Sequence, residues 1–259
     1  MLLEDRVAIV AGIGPGLGRA IAVALAEEGA HVALGARTQS YLEEVAGEIQ
    51  TLGRQALVVP TDITDADQCK NIADAAFSHF GRIDVLVNNA GWSGTMERFI
   101  NIPVQEWREV LEGNLVGTMA MCKYAAPYMI RAGKGAIVNV TSISMRQGLA
   151  RRSPYGSAKA AVTTMTQSLA RELGRHNVRV NSIAPGPIWS DKLQDFYRRV
   201  GEQSGKTPED IYKTYAKNMP LGKIPLPEEI ASAVVFMASD WATPITGQSL
   251  DTDGGFYFH

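Results

Sequence analysis

The chain has 259 residues, 46% hydrophobic and 20% charged, a composition that supports a large buried core and excludes disorder as its main state. Twenty-five Lys and Arg against twenty-seven Asp and Glu leave a formal charge of −2, and no basic run is long enough to grip nucleic acid. The longest uncharged stretches, Val7 to Gly18 and Val85 to Met96, are twelve residues each, short of the roughly 20 needed to span a bilayer, so no membrane association is expected. The first residues carry acid before any apolar run, and Cys69 and Cys122 are the only cysteines, so a reducing cytoplasm is the expected compartment.

Along the chain, short apolar runs at Val7–Ala11, His31–Ala36, Ala56–Pro60, Ile83–Val87, Ala136–Val140 and Val178–Ala184 alternate with longer stretches of helical spacing. The runs are nearly continuous Val, Ile, Ala and Leu without polar alternation, the pattern of parallel strands covered by helices on both faces. A doubly wound α/β sheet is therefore expected. Thr38 stands where it would cap the helix running through Leu52, Thr64 or Asp65 the next, and Ser153-Pro154 puts proline at a first helical position. Gly29, Gly53 and Gly81 fall where helices should end. With no repeat, low-complexity tract or linker, residues 1–259 read as one domain, whose texture changes only in a charged, aromatic-rich insert at 190–219.

The first run leads into Ala11-Gly-Ile-Gly-Pro-Gly-Leu-Gly-Arg19, which opens a helix. Glycines there let the backbone turn tightly and bring its N–H groups up to a pyrophosphate at the positive helix end. Gly12, Gly16 and Gly18 give G-x-x-x-G-x-G, since Leu17 takes the place of the third glycine in G-x-G-x-x-G. The second run ends Ala36-Arg37-Thr38, without the acid that would accept from a free ribose 2′-hydroxyl. Arg37 has the planar fork to hold a 2′-phosphate, which favours NADP(H) over NAD(H); the competing reading is a solvated arginine near a helix start.

Of eight tyrosines only Tyr155 has a lysine four residues on, Lys159, which places both on one helix face. Ser142 follows the Ala136–Val140 run, Asn88-Asn89-Ala90-Gly91 follows Ile83–Val87, and Asn114 lies in an expected helix between them. A tyrosine with an ordinary pKa of about 10 is a poor base near neutrality, and a neighbouring lysine charge favours its ionised form.

Gly12/Gly16/Gly18, Asp62, Asn88 to Gly91, Asn114, Ser142, Tyr155/Lys159, Pro185-Gly186 and Asp251 to Gly255 stand in the order and spacing of the short-chain dehydrogenase/reductase family, which the chain resembles almost end to end. The resemblance implies a Rossmann-like, seven-stranded parallel sheet with helices on both faces. It implies hydride transfer between a nicotinamide cofactor and a secondary alcohol or ketone, with Tyr155 as acid/base. Lys159 would also hold the nicotinamide ribose, Ser142 the substrate oxygen, and Asn114 a water that relays protons. Leu17, Arg37, Ile63, Asn89, Ala90, Gly91, Ile188 and Ser190 join the glycines, Asp62, Pro185, Gly186, Tyr155 and Lys159 as expected cofactor contacts. Three departures stand out: Ala11 replaces a usual threonine, Pro15 a frequent basic residue, and only Ser190 matches the threonine after Pro185-Gly186.

Leu193, Phe196, Tyr197 and Val200 in the insert share one helical face, and Ile211, Tyr212, Tyr215 and Met219 suggest another. By resemblance the insert covers the site, an apolar lid suited to a bulky alicyclic or steroid-like substrate, with Trp92, Leu149, Trp189 and Phe196 as pocket wall; ordinary packing is the alternative. Arg146, Arg151 and Arg152, between Ser142 and Tyr155, are either a solvated cluster or a greeting for an anionic carrier, which makes a 3-oxoacyl-ACP/CoA reductase the second enzyme reading. An idle dinucleotide sensor is a third. His31, His79, His176 and His259 are dispersed, so no metal is expected. The resemblance also implies that the chain pairs through Val104–Ile130 and Pro154–Leu173, where Met119, Met121, Ala125, Ala126 and Met129 and Ala158, Ala161, Val162, Met165 and Leu169 supply apolar surface, and that with the tail Gly255 to His259 it forms a homotetramer, or failing that a dimer.

Overall fold

In the first strand, alternate side chains enter two different apolar cores, which is why its sequence lacks polar alternation. The computed structural model describes residues 1–258, apart from the side chains of Lys192, Gln203 and Ser204; His259 of the expected tail lies outside the described residues. Strands β1 (Val7–Ala11), β2 (His31–Ala36), β3 (Ala56–Pro60), β4 (Val85–Asn88), β5 (Gly135–Val140), β6 (Val178–Pro185) and β7 (Ser249–Thr252) form a parallel sheet in the order β3-β2-β1-β4-β5-β6-β7. Their connections carry α1 (Leu17–Glu27), α2 (Gln39–Thr51), α3 (Ala66–Phe80), α4 (Val104–Leu111), α5 (Gly117–Ala132), α6 (Ser153–Leu173), α7 (Asp191–Ser204), α8 (Pro208–Ala216) and α9 (Pro227–Ala238). Ala8, Val10, Val85, Val87 and Val138 face α1, α2 and α9, while Ile9, Leu86 and Ile137 face α3, α5 and α6. The expected Rossmann-like, doubly wound arrangement is the one observed. Strand order reverses between β1 and β4, where Ala11 pairs with Asn88, so a crevice opens beyond their carboxyl ends.

Local signals and tertiary demands differ at several points. Asp65, not Thr64, caps α3, its Oδ1 accepting from the Asp67 and Gln68 N–H groups at 2.9 and 3.2 Å. Gly81 closes the same helix in the left-handed region at φ 77°. Thr38 holds the cap position of α2 without a side-chain hydrogen bond. β4 begins at Val85 rather than Ile83 because Asp84 uses its carboxylate on the Val7 N–H at 2.9 Å and on Arg82. β7 escaped the search for apolar runs: it is a short, half-polar edge strand paired only to β6.

The expected helix over Val104–Ile130 is interrupted by a π-turn at Glu112–Val116, which separates α4 from α5. The apolar residues assigned to subunit contact from sequence need correction. Met121, Ala125, Ala126, Met129, Ala158 and Val162 are buried in the chain itself. The apolar side chains left exposed there are Val104, Val116 and Met119, joined by Phe99 and Ile100 just ahead of α4.

The Asp65 cap contributes about 1 kcal/mol. Asp65→Ala should therefore lower the melting temperature by roughly 2–4 °C in calorimetry, and Asp65→Asn, which keeps an acceptor, should restore most of it.

Candidate active site

A cleft of about 660 Å³ fills the crevice, with lining residues that come from loops after four strands. Gly12 follows β1, Arg37 follows β2, Asp62 and Ile63 follow β3, and Asn89, Ala90, Gly91 and Trp92 follow β4. Gly12 has φ 101°, and a Cβ there would lie 2.2 Å from the Ala90 nitrogen, so only glycine permits this approach of the two strand ends. The Asn89 Nδ2 donates to the Gly12 carbonyl at 2.7 Å and locks the contact. A Cβ on Gly18 would fall 2.3 Å from the Gly12 oxygen, whereas Gly14 has open space and Gly16 faces the Ser190 side chain across a gap. Leu17 and Ile188 pack their side chains against the core. Ile63 presses on Gly117, and Gly186, next to Pro185 at the end of β6, is kept small by Asp253.

Asp62 is held below the usual carboxylate range by the Thr64 N–H, the Thr64 hydroxyl and the charge of Arg37. The end of β2 presents no acid, only exposed Arg37. A helix N-terminus with open glycines above a 660 Å³ trough fits the pyrophosphate of a dinucleotide, and Arg37 lines the same trough.

Tyr155 and Lys159 stand one turn apart on α6, with the ammonium 5.7 Å from the phenol ring centroid. Lys159 is 3% exposed and donates to the Val140 carbonyl at 2.9 Å, while burial pushes its pKa down to about 8. Burial raises the Tyr155 pKa, opposed by a hydrogen bond with Ser142 and by the charge of Arg152. Ser142 is oriented in turn: its Oγ accepts from the Ser144 N–H at 3.2 Å and donates to the Ser144 hydroxyl at 3.1 Å.

Asn114 sits in the π-turn, where its Nδ2 donates to the Val110 carbonyl at 2.8 Å and to the Trp92 carbonyl at 2.7 Å. Its Oδ1 is buried without a hydrogen-bond partner. A Cβ on Gly91 would meet that oxygen at 2.6 Å and the Lys159 nitrogen at 3.3 Å, so both polar groups converge over Gly91. Such a set can hold a substrate oxygen, exchange a proton with it and relay that proton through the acceptor that Asn114 offers.

Of the expected wall residues, Trp92, Leu149 and Phe196 are exposed on two loops and on α7. Trp189 packs against the insert's small apolar cluster, 4.6 Å from the Tyr212 ring centroid and 5.8 Å from that of Tyr197. Arg146 is not part of a solvated cluster: it donates to Asp251 at 3.0 Å and to the Ser249 carbonyl at 3.1 Å, tying its loop to β7. Thr61, Glu109 and Gly113 line the cleft without having been singled out from sequence. Thr61 precedes Asp62 and was within reach; the other two depend on how the π-turn rotates the chain. Among the described residues no group of three or more His, Cys, Asp or Glu forms a metal site, and no helix is long and apolar enough to cross a membrane.

A family profile described as Enoyl-(Acyl carrier protein) reductase matches residues 12–257. The cis-4-hydroxycyclohexanecarboxylate dehydrogenase of Sinomonas cyclohexanicum is 39% identical over 252 residues, which cover 97% of this chain and 96% of the relative. The 3-oxoacyl-[acyl-carrier-protein] reductase of Thermotoga maritima is 34% identical over 255 residues, 98% of this chain and 99% of the relative. A solved 7α-hydroxysteroid dehydrogenase complexed with NADH and 7-oxo glycochenodeoxycholic acid matches with a TM-score of 0.88 at 34% identity, over 98% of this chain and 94% of that one.

The buried Lys159 sets a stability signature. Its pKa is about 8 folded against an ordinary 10.5, so between those values the unfolded chain holds a proton the folded one has shed. Wild-type stability should therefore rise relative to Lys159→Met as pH climbs through that window, with the variant at least as stable at pH 7. Urea unfolding at several pH values checks the sign.

Proposed function

Because the chain belongs to the short-chain dehydrogenase/reductase family, enzymes that act on CH–OH groups with NAD(P), we propose that it is an NADP(H)-dependent dehydrogenase interconverting a ring-borne secondary alcohol and its ketone. The observation that carries this reading is the convergence of Asn114 and Lys159 over Gly91, with Tyr155 one turn from Lys159 and bonded to Ser142, beside a trough that Gly91 and Arg37 both line and where β2 ends without an acid. A bound nicotinamide dinucleotide supplies or accepts the hydride. The chain's own part is the proton: the ionised Tyr155 phenolate takes it from the carbinol in oxidation, and the neutral phenol gives it to the carbonyl oxygen in reduction. Ser142 donates to the substrate oxygen. Lys159, protonated below about pH 8, favours the ionised phenol and holds the ribose, and Asn114 Oδ1 is the acceptor from which water carries protons outward.

The substrate assignment draws on the relatives named for a hydroxycyclohexane acid and a hydroxysteroid, both ring alcohols, and on the apolar insert over residues 190–219 of a single domain. NAD(H) remains the alternative cofactor. A 3-oxoacyl reductase is the second reading, favoured by the Thermotoga maritima relative and weakened by the loss of Arg146 to Asp251. A homotetramer in a reducing cytoplasm accompanies the proposal, with a dimer as the smaller form; exposed Phe99, Ile100, Val104, Met119 and Phe258 support a covered surface, and buried free Cys69 and Cys122 suit that compartment.

Tyr155→Phe should keep cofactor binding while kcat falls by about 10²–10⁴, read by fluorescence titration beside steady-state assay. Arg37→Ala should weaken NADPH about 10–100-fold and leave NADH nearly unchanged, because one charge-assisted phosphate contact is lost. Light scattering that returned a fully active 28.0 kDa species would exclude the assembly.

A further inference from the structure

Arg152 places a charge beside Tyr155, where it opposes the rise of the phenol pKa, and has donors to spare beyond that contact. Its backbone is fixed at the start of α6, the N–H donating to the Leu149 carbonyl at 3.2 Å and the carbonyl accepting from the Gly156 N–H at 2.9 Å. The guanidinium is half-buried between two apolar partners. Its carbon lies 6.0 Å from the Tyr155 ring centroid, and Nη2 is 3.5 Å from the Met96 sulfur on the opposite loop. Among the described residues no carboxylate lies within ion-pair distance of it, whereas neighbouring Arg146 is satisfied by Asp251. A guanidinium has five donors in a fixed fork, and a weak sulfur contact satisfies at most one. Removing such a group partly from water without a counter-ion is unfavourable, so the site is built to receive an anion.

We propose that Arg152 recognises a carboxylate on the substrate itself, which makes the enzyme selective for ring alcohols and ketones that carry an acid group. This rests on the ring-alcohol reading above. Position decides between possible anions. Arg152 touches the ring of the proton-transferring residue, so its partner must lie within one small ring of the reacting carbon. A carboxylate across a cyclohexane ring meets that demand. The phosphate of a carrier arm, many bonds removed from its thioester, does not. Arg151, exposed at φ 65° on the neighbouring turn, lacks this contact with Tyr155.

The experiment compares wild type, Arg152→Gln and Arg152→Lys on 4-oxocyclohexanecarboxylate, its methyl ester and a 3-oxoacyl phosphopantetheine thioester. The expected result is a KM for the acid about tenfold or more higher in Arg152→Gln with the ester KM unmoved and partial rescue by lysine, while any fall in kcat from losing a charge beside Tyr155 is the same for acid and ester. An equal rise in KM on acid and ester would overturn the proposal, because Arg152 would then act through Tyr155 or the fold. So would a loss confined to the thioester, or a wild type that does not prefer acid over ester. Calorimetric binding of cyclohexanecarboxylate against cyclohexanecarboxamide reads Arg152 without turnover. If the acid binds through Arg152 and no ring ketone is reduced, the ring-alcohol reading fails alone; if ring ketones are reduced and Arg152 makes no distinction, this inference fails alone.

Discussion

The backbone contact between Gly12 and Ala90 is the constraint on which the rest of the site depends. Parallel strands β1 and β4 lie side by side, and their chains then leave in opposite directions, one to each face of the sheet. The crevice exists because they separate only after this contact. A Cβ at 2.2 Å from the Ala90 nitrogen would force the two ends apart, and with them the Asn89 bond to the Gly12 carbonyl. The open side of the glycine turn, the loop carrying Gly91 and the Asp62 loop are all placed relative to that point. Glycine here serves packing first; access for a cofactor follows from it.

A second set of contacts holds α6 in register with the sheet. The Asn88 Nδ2 donates to Asn139 at 2.9 Å, and the Asn139 Nδ2 donates to the Thr166 hydroxyl at 2.9 Å, joining β4, β5 and α6 in the dry interior. Buried polar groups of this kind are stable only when paired, so they fix one arrangement and penalise slippage. The arrangement they fix puts Lys159 above Gly91, with Tyr155 one turn before it on α6. Lys159 itself is the strained element, an ammonium whose one protein acceptor is the Val140 carbonyl.

The insert over residues 190–219 obeys a different logic. Tyr197, Ile211, Met219 and Ile224 form a small cluster of their own, joined by Trp189 and Tyr212, so α7 and α8 cohere with each other more than with the sheet. A unit with its own core can shift as a body without unpacking the main cores, a property suited to a cover over a binding site. Phe196 remains exposed beside this cluster.

The sequence by itself determined six of the seven strands, the helix stops and the chemical cast. Unbroken apolar runs follow from burial on both faces, Asp65 and Gly81 act through backbone groups two to four residues away, and Tyr155 and Lys159 share a helix face by spacing alone. Only the tertiary structure decided the π-turn that aims Asn114, the use of Asp84 to start β4, the engagement of Arg146 by Asp251 and the isolation of Arg152 over Tyr155. These depend on partners far apart in the chain, and neither periodicity nor capping reports which distant carboxylate a given arginine will find. The same reason explains the misjudged helix faces. A run such as Met121 to Met129 reads as surplus apolar surface until the sheet that covers it is in place.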